Sequence, residues 1–159
     1  MNKEYIIRRA NVSDAQAIHK VLLAAFEEFR FYYSTEGFID TVLSEQKAID
    51  RINQMNVYVA VDWNANVIGT IGWERINNEE GHIRGMAVVP NWQGKNSPAA
   101  ALLKEVKDDA RSKGCSILTL DTTKILQRAQ NFYQKHGFRK TGKTGDFYGS
   151  VIYEYAKEI

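Results

Sequence analysis

Met86-Ala87-Val88-Val89-Pro90 runs directly into Asn91-Trp92-Gln93-Gly94-Lys95-Asn96-Ser97 and then into Pro98-Ala99-Ala100-Ala101-Leu102-Leu103. The three pieces predict an apolar strand, a polar turn and the first turn of a helix. Ser97 suits the N-cap of that helix, and Pro98 suits its first position. Because a helix start has unsatisfied backbone N–H groups and a partial positive charge, this segment is suited to hold a phosphate.

The rest of the chain carries strand and helix patterns on both sides of this segment. Strands are predicted at 5–9, 57–61, 67–75, 82–89, 116–121, 138–141 and 147–155. Helices are predicted after Ser13, over 40–55, after Ser97 and over 127–136. The order β-α-α-β-β-β-α-β-α-β-β favours a three-layer α/β domain around a mixed sheet. Because the sequence has no Pro-rich linker, we expect residues 1–159 to form a single domain.

Caps and apolar spacing define the first two helices. Ser13, with Gln16 three residues later, is typical of a capping box. The apolar stripe of the helix that follows consists of Ile18, Leu22, Ala25, Phe26 and Phe29. The helix over 40–55 has a thinner stripe, formed by Val42, Ile49 and Ile52.

Composition and charge are those of an ordinary globular protein. The chain has 159 residues, 44% of them apolar and 25% charged, and a net charge of +2. This balance argues against a broad surface for nucleic acid or membrane. No apolar run approaches the roughly 20 residues of a membrane span. The N-terminus lacks a signal-peptide core, and Cys115 has no cysteine to pair with. We expect a cytoplasmic protein with neither nucleic acid nor membrane as a partner.

Four segments together resemble the GNAT family of N-acetyltransferases. Residues 8–15 (RRANVSDA) resemble the family's first strand and the start of its first helix. Met86–Pro90 resembles its fourth strand, and Gln93–Ala99 falls on its pyrophosphate loop. Residues 129–138 (AQNFYQKHGF) closely resemble its A-x-x-F-Y-x-K-x-G-F segment. The resemblance covers nearly the whole chain and implies a mixed, mostly antiparallel sheet flanked by about four helices.

The resemblance also implies that the chain binds acetyl-CoA as acyl donor. Backbone groups of Met86, Ala87 and Val88 would pair with the pantetheine arm as if it were an added strand. The pyrophosphate would lie at the helix N-terminus, against a loop made of Gln93, Gly94, Lys95, Asn96, Ser97, Pro98 and Ala99.

The loop departs from the family's Gln/Arg-x-x-Gly-x-Gly/Ala pattern. Asn96 stands where glycine is expected, and asparagine tolerates positive φ better than other non-glycine residues. Pro98 replaces the last small residue and removes an N–H donor, at a cost of roughly 1.5–3 kcal/mol unless another group compensates. Lys95 and the hydroxyl of Ser97 are candidates to compensate. Leu126 replaces an asparagine that often contacts the cofactor in the family.

Acetyl transfer to an amine needs a base, a donor for the oxyanion and an acid for the leaving thiolate. A backbone N–H near Val88 is the candidate oxyanion donor. Tyr133 is the candidate acid, because a phenol stays protonated at neutral pH; the alternative is a core aromatic. His82 is the candidate base and, by strand alternation, would share a face with Met86 and Val88. The alternatives to His82 are a chain of ordered water or, through water, Glu27, Glu28, Glu74 or Glu80.

An aromatic stretch, Phe29-Arg30-Phe31-Tyr32-Tyr33, follows the first helix, in the region that borders the acceptor site of similar proteins. With its flanking glutamates it suits a pocket for a cationic or aromatic amine. A buried helix end or a dimer contact explains the same pattern equally well, so a homodimer is one possibility. The sequence leaves the acceptor open, as a small-molecule or peptide amine.

Three further features could suggest a nucleotide site, a catalytic thiol or a metal site, but each lacks the context that such a site needs. Residues 137–144 (GFRKTGKT) match the P-loop pattern G-x-x-x-x-G-K-[ST], but a helix precedes them and a strand is predicted within them. Cys115, at the start of a buried strand, is assigned to the core. His19, His82 and His136 lack metal-ligand spacing, so we expect no metal.

The sequence therefore predicts an enzyme that moves acetyl from acetyl-CoA directly to a primary amine, without a covalent enzyme intermediate. The alternative is a non-catalytic or weakly active acyl-CoA-binding or sensor module of the same fold, which the altered loop motivates.

Overall fold

A computed structural model describes residues 4–159. Its strands are β1 Tyr5–Arg9, β2 Asn56–Asp62, β3 Val67–Arg75, β4 Glu80–Val88, β5 Ile117–Thr123, β6 Arg139–Phe147 and β7 Ser150–Glu158. Its α-helices are α1 Ala15–Phe26, α2 Thr35–Thr41, α3 Glu45–Gln54, α4 Ala99–Ser112 and α5 Gln127–Lys135. Short 3-10 helices cover Val12–Asp14, Glu27–Tyr32 and Pro90–Trp92.

A seven-stranded sheet in the order β1-β2-β3-β4-β5-β7-β6 forms the middle layer. All neighbouring strands are antiparallel except β4 and β5, which are parallel. The predicted turn between β2 and β3 is present, because a carboxylate oxygen of Asp62 accepts the N–H groups of Asn64 and Asn66. The mixed, mostly antiparallel sheet predicted from the sequence is therefore confirmed.

The two faces of the sheet are covered by different helices. On one face, Leu102 and Val106 of α4 pack with Trp73 and Leu120 of the sheet. On the other face, side chains of α1, α2 and α3 pack against Val59 and its neighbours. The residues of the two predicted apolar stripes all belong to this second core, since burial of apolar surface is the main force that holds the layers together.

The start of α1 differs from its prediction. The side chain of Asn11, rather than that of Ser13, forms the capping box: Asn11 Oδ1 accepts the N–H of Ser13, and Asp14 Oδ2 accepts the N–H of Asn11. The box starts a 3-10 turn, and α1 follows at Ala15. Predicting Ser13 as the cap was wrong because three residues of this turn, Asn11, Ser13 and Asp14, have side-chain oxygens that can accept a backbone N–H.

The helix predicted over 40–55 is two helices. Val42 ends α2 with φ −98 and ψ 87, outside the helical region, and its side chain is buried. Ser44 then caps α3, since its hydroxyl oxygen accepts the N–H of Lys47. The break brings α2 beside the cleft described below, and five α-helices flank the sheet where about four were predicted.

Candidate active site

β4 and β5 pair over only part of their length. Residues 80–83 of β4 lie beside residues 117–120 of β5 in parallel register. Beyond Ile83 and Leu120 the strands separate, and the gap between them opens into a cleft of about 970 Å³. Its walls come from both strands, the loop after β4, α5, and the segments around α2 and α3. On its β5 side, the last part of β4 is consequently an unpaired strand edge inside the cleft.

A β-bulge lies in β4 at the same point. Gly72 of β3 pairs with Arg84 and Thr70 pairs with Ala87, so two residues of β4 oppose one residue of β3. Gly85, within the bulge, has φ 65, in the left-handed region that glycine adopts without strain. The extra residue interrupts the alternation of side chains along the strand.

The bulge shows that His82 does not share a face with Met86 and Val88, as strand alternation predicted. Ile83, Met86 and Val88 all pack in the core beneath α4 and α5. In a regular strand Ile83 and Val88, five positions apart, would lie on opposite faces, so the bulge has changed the alternation. His82, next to Ile83, therefore points to the layer of α1, α2 and α3. The candidate base and Tyr133, a member of the core beneath α4 and α5, lie on opposite faces of the sheet. Both line the cleft through the gap.

The loop after β4 ends in an open helix start. Gly94 has φ 84 and Asn96 has φ 66, so asparagine takes the left-handed conformation in place of glycine. The hydroxyl oxygen of Ser97 accepts the N–H of Ala99, but α4 begins at Ala99 with Pro98 as its N-cap residue, one position later than predicted. Within residues 4–159, the N–H groups of Asn96 and Ala100 have no acceptor. These donors lie at the positive end of a helix, where an anion is stabilised.

Gln93 connects this loop to β4 and α5. Its side-chain amide donates to the carbonyl of Val88 at 2.9 Å and accepts from the guanidinium of Arg128. Arg128 thus places a positive charge opposite the loop. Lys95 is exposed and Pro98 is buried, and neither lines the cleft.

Tyr133 lies in α5 beneath the gap. Its side chain is buried, and its hydroxyl donates to the sulfur of Met86 at 3.2 Å. Burial raises the pKa of the Tyr133 phenol well above its ordinary value. The hydroxyl therefore keeps its proton, and its one partner is a weak acceptor that a better one can displace. Tyr133 is both a core aromatic and a cleft residue.

A relay of hydrogen bonds orients His82 from the other face. The hydroxyl of Thr119 donates to Oε2 of Glu80 at 2.7 Å. Its oxygen then accepts Nδ1–H of His82, also at 2.7 Å. A proton on Nδ1 leaves Nε2 as the unprotonated nitrogen of the neutral ring. Nε2 lies 3.4 Å from Oδ2 of Asp121 at the cleft wall.

Sequence reasoning missed Asp121, Arg51 and Arg128 at the cleft, and Thr119 beside His82. Thr119 and Asp121 alternate along a predicted strand, so a shared face was foreseeable. Their place beside His82 depends on the β4–β5 register, which no local pattern encodes. Arg51 and Arg128 lie on helices whose exposed faces carry other charges.

The aromatic stretch is divided between cleft and surface. Phe29 and Tyr33 line the cleft, and the hydroxyl groups of Tyr33 and Thr123 lie 2.9 Å apart. Phe31, by contrast, is 95% exposed, and Tyr32 is 65% exposed. The pocket interpretation therefore fits Phe29 and Tyr33, whereas the exposure of Phe31 and Tyr32 excludes a buried helix end for these two.

The alternative patterns take structural roles. Gly137 follows α5, and β6 runs through Lys143 and Thr144, so the P-loop match lacks the helix that phosphate binding needs. Cys115 is buried in the core beneath α4. Among residues 4–159, no group of three or more His, Cys, Asp or Glu side chains is placed to hold a metal ion. No helix in the same range combines the length and apolarity needed to cross a membrane.

The family model described as "Acetyltransferase (GNAT) family" matches residues 18–138. The chain belongs to the GNAT family. This acetyltransferase has the fold of a PaiA N-acetyltransferase from Thermoplasma acidophilum in complex with coenzyme A, with a TM-score of 0.83, 20% identity and full coverage of both chains. A GNAT acetyltransferase from Elizabethkingia anophelis with acetyl-CoA bound gives a TM-score of 0.70 at 20% identity, covering 99% of this chain and 100% of the other.

One from Staphylococcus aureus gives a TM-score of 0.76 at 19% identity, covering 97% of this chain and 98% of the other. At these identities the likeness shows the fold. No curated protein matches the sequence.

Proposed function

We propose that this GNAT acetyltransferase acts in the cytoplasm as a single domain and transfers acetyl from acetyl-CoA directly to a primary amine. The observation that carries the proposal is the gap between β4 and β5, which His82 lines from one face of the sheet and Tyr133 from the other. A group held in the gap is open to both.

The residues around the gap fit acetyl-CoA. The unpaired edge of Met86, Ala87 and Val88 offers backbone groups to the amide-bearing pantetheine arm. The free N–H groups of Asn96 and Ala100, with Arg128 opposite, suit a pyrophosphate. Acetyl-CoA, when bound, supplies an activated thioester.

His82 and Tyr133 then transfer protons in opposite directions, one as the base and the other as the acid. Nε2 of His82 takes a proton from the acceptor ammonium, and the carboxylate of Asp121 stabilises the imidazolium that results. Oη of Tyr133 gives its proton to the departing thiolate and recovers one from the acceptor nitrogen, which loses its second proton as the amide forms. A backbone N–H near Val88 donates to the developing oxyanion. Because acid and base lie on opposite faces, the acceptor enters from the side of α1, α2 and α3, and the acyl donor from the side of α4 and α5.

Calorimetry with acetyl-CoA, followed by a screen of amines for release of the CoA thiol, tests the proposal. We expect saturable binding and release that depends on an added amine. Binding without release under any amine would favour the alternative, a non-catalytic acyl-CoA sensor, which the missing N–H of Pro98 motivates. No saturable binding at millimolar concentration would rule out both.

A further inference from the structure

Arg51 is a half-buried cation at the acceptor side of the cleft, and the described residues 4–159 give its guanidinium no hydrogen-bond or ion-pair partner. It extends from α3 and lines the cleft beside Gly85 and Arg84. Within residues 4–159 its guanidinium has no hydrogen bond and no ion pair, while burial and the nearby Arg84 lower the pKa of Arg51. Burying an unpaired cation is unfavourable unless a counter-charge compensates. Arg51 thus has its hydrogen-bond donors available for a ligand.

The neighbouring carboxylates do not take this role. Glu74 is engaged by Nε of Arg84 at 3.2 Å. Asp40 attracts Arg51 only from beyond ion-pair distance. The guanidinium instead lies against the bulge: a Cβ on Gly85 would lie 2.2 Å from its Nη1 atom. The glycine therefore leaves room for the guanidinium at the cleft wall.

The opposite charge lies on β5, the strand that pairs with the first part of β4. Asp121 stands beside Nε2 of His82, where an approaching ammonium is attracted. Gly85 is three residues beyond His82 along β4, within the bulge. An anion-binding point at Arg51 and a cation-binding point at Asp121 therefore line the same cleft.

We infer that the acceptor is an amino-acid-like amine whose carboxylate binds Arg51 while its amine faces His82. The inference rests on the proposed function and names its substrate class. Arginine suits this task because its planar fork can donate two parallel hydrogen bonds to a carboxylate.

The test compares the common amino acids and β-alanine, each beside its carboxamide, by kcat/KM for release of the CoA thiol. The carboxamide keeps the amine and loses the negative charge. For at least one acid, kcat/KM should be roughly 10-fold or more higher than for its carboxamide, as expected for the loss of one charge-assisted hydrogen bond. Arg51→Gln should bring that ratio near one, and Arg51→Lys should retain part of it. Arg84→Gln is the control, because it also removes one positive charge near Gly85. This variant should keep most of the preference for the acid over its carboxamide.

Two results would overturn the inference and leave the proposed function intact: equal use of acids and carboxamides, or a preference unchanged in Arg51→Gln. Absence of release with every amine would defeat the proposed function, and the inference with it. A thermal melt adds a readout independent of activity. Arg51→Met, which keeps an apolar stem, should raise Tm because no partner is lost. A fall in Tm would show that the guanidinium has a structural partner, against the inference.

Discussion

Nδ1 of His82 lies 2.7 Å from the hydroxyl oxygen of Thr119, and that hydroxyl donates to Glu80. The contact joins β4 to β5 immediately before the strands separate. It fixes the tautomer of the candidate base at the mouth of the gap, so Thr119 and Glu80 are positioning residues.

Replacing Thr119 by valine removes this contact at nearly constant volume. We expect Thr119→Val to lower kcat about 10-fold with little change in KM for acetyl-CoA, because the ring loses its orientation while the donor site is untouched. Nitrogen NMR of the imidazole should show the proton redistributed between Nδ1 and Nε2. Thr119→Ser keeps the hydroxyl and should restore the rate; equal rates in both variants would exclude the relay.

Tyr133→Phe removes the candidate acid and leaves the ring. We expect kcat to fall roughly 100-fold or more, while affinity for acetyl-CoA changes little, because the thiolate then leaves without a proton donor. Tyr155→Phe is the matched control, since Tyr155 is also buried but donates to Gln130 away from the cleft. It should alter stability and spare kcat. An unaffected rate in Tyr133→Phe would leave the residue a purely structural role.

Pro98→Ala restores a backbone N–H at the helix start. We expect acetyl-CoA to bind about 10-fold more tightly, as one hydrogen bond to an anion contributes about 1.5–3 kcal/mol at most. Calorimetry measures the change. Pro90→Ala alters the other proline of the chain, in the 3-10 turn before the loop, and should leave affinity unchanged. Unchanged or weaker binding in Pro98→Ala would mean that the loop does not use this position.

Gly85→Ala tests the fit between the bulge and Arg51. An alanine at φ 65 costs about 1–2 kcal/mol of unfolding free energy, and its Cβ displaces the guanidinium besides. Gly142→Ala is the control, because Gly142 has φ 93 with nothing within 4 Å. Chemical denaturation should show the larger loss at Gly85. Adding Arg51→Gln to Gly85→Ala should recover part of the lost unfolding free energy. If the effects of the two substitutions on that free energy simply add, the two residues do not interact.

The pair of Arg8 and Asp14 gives a pH dependence of stability. Arg8 donates to both oxygens of the buried Asp14 carboxylate, and these hydrogen bonds lower the pKa of Asp14. Because the pKa of Asp14 is lower in the folded state than its ordinary value of about 3.9, the pair adds to the free energy of unfolding at pH values above that ordinary value. This contribution is lost as the pH falls through the folded-state pKa. Asp14→Asn should therefore cost about 1 kcal/mol at neutral pH, since Arg8 is partly exposed.

The difference between Asp14→Asn and the parent chain should close as pH falls below the ordinary pKa of aspartate. Denaturant titrations at neutral pH and at about pH 3 measure it. Asp108→Asn, which breaks the exposed pair with Lys104, should change stability little at either pH. A constant difference across the pH range would show that the Asp14 carboxylate is not the stabilising group.

Much of the fold follows from local patterns in the sequence. Apolar alternation and helical spacing predict the strands and most helices, because these periodicities reflect which side chains are buried. The conformation of the loop after β4 also follows from local residues. Asn96 takes the positive φ that its short polar side chain tolerates, and the Ser97 hydroxyl accepts a backbone N–H at the start of α4. Local patterns predicted the wrong boundary around Ser13, where neighbouring residues compete as caps, and over 40–55, where the chain leaves the helical region at Val42.

The pairing of β4 with β5, the bulge at Gly85 and the position of Arg51 were decided by the tertiary structure. Parallel register depends on packing between segments far apart in sequence, and one extra residue in a strand reverses every face after it. For that reason the pattern of residues was enough to name His82 and Tyr133 as candidates for the chemistry. Only the packed sheet decided that these two stand on opposite faces of a common gap, and that Thr119 and Arg51 stand beside it.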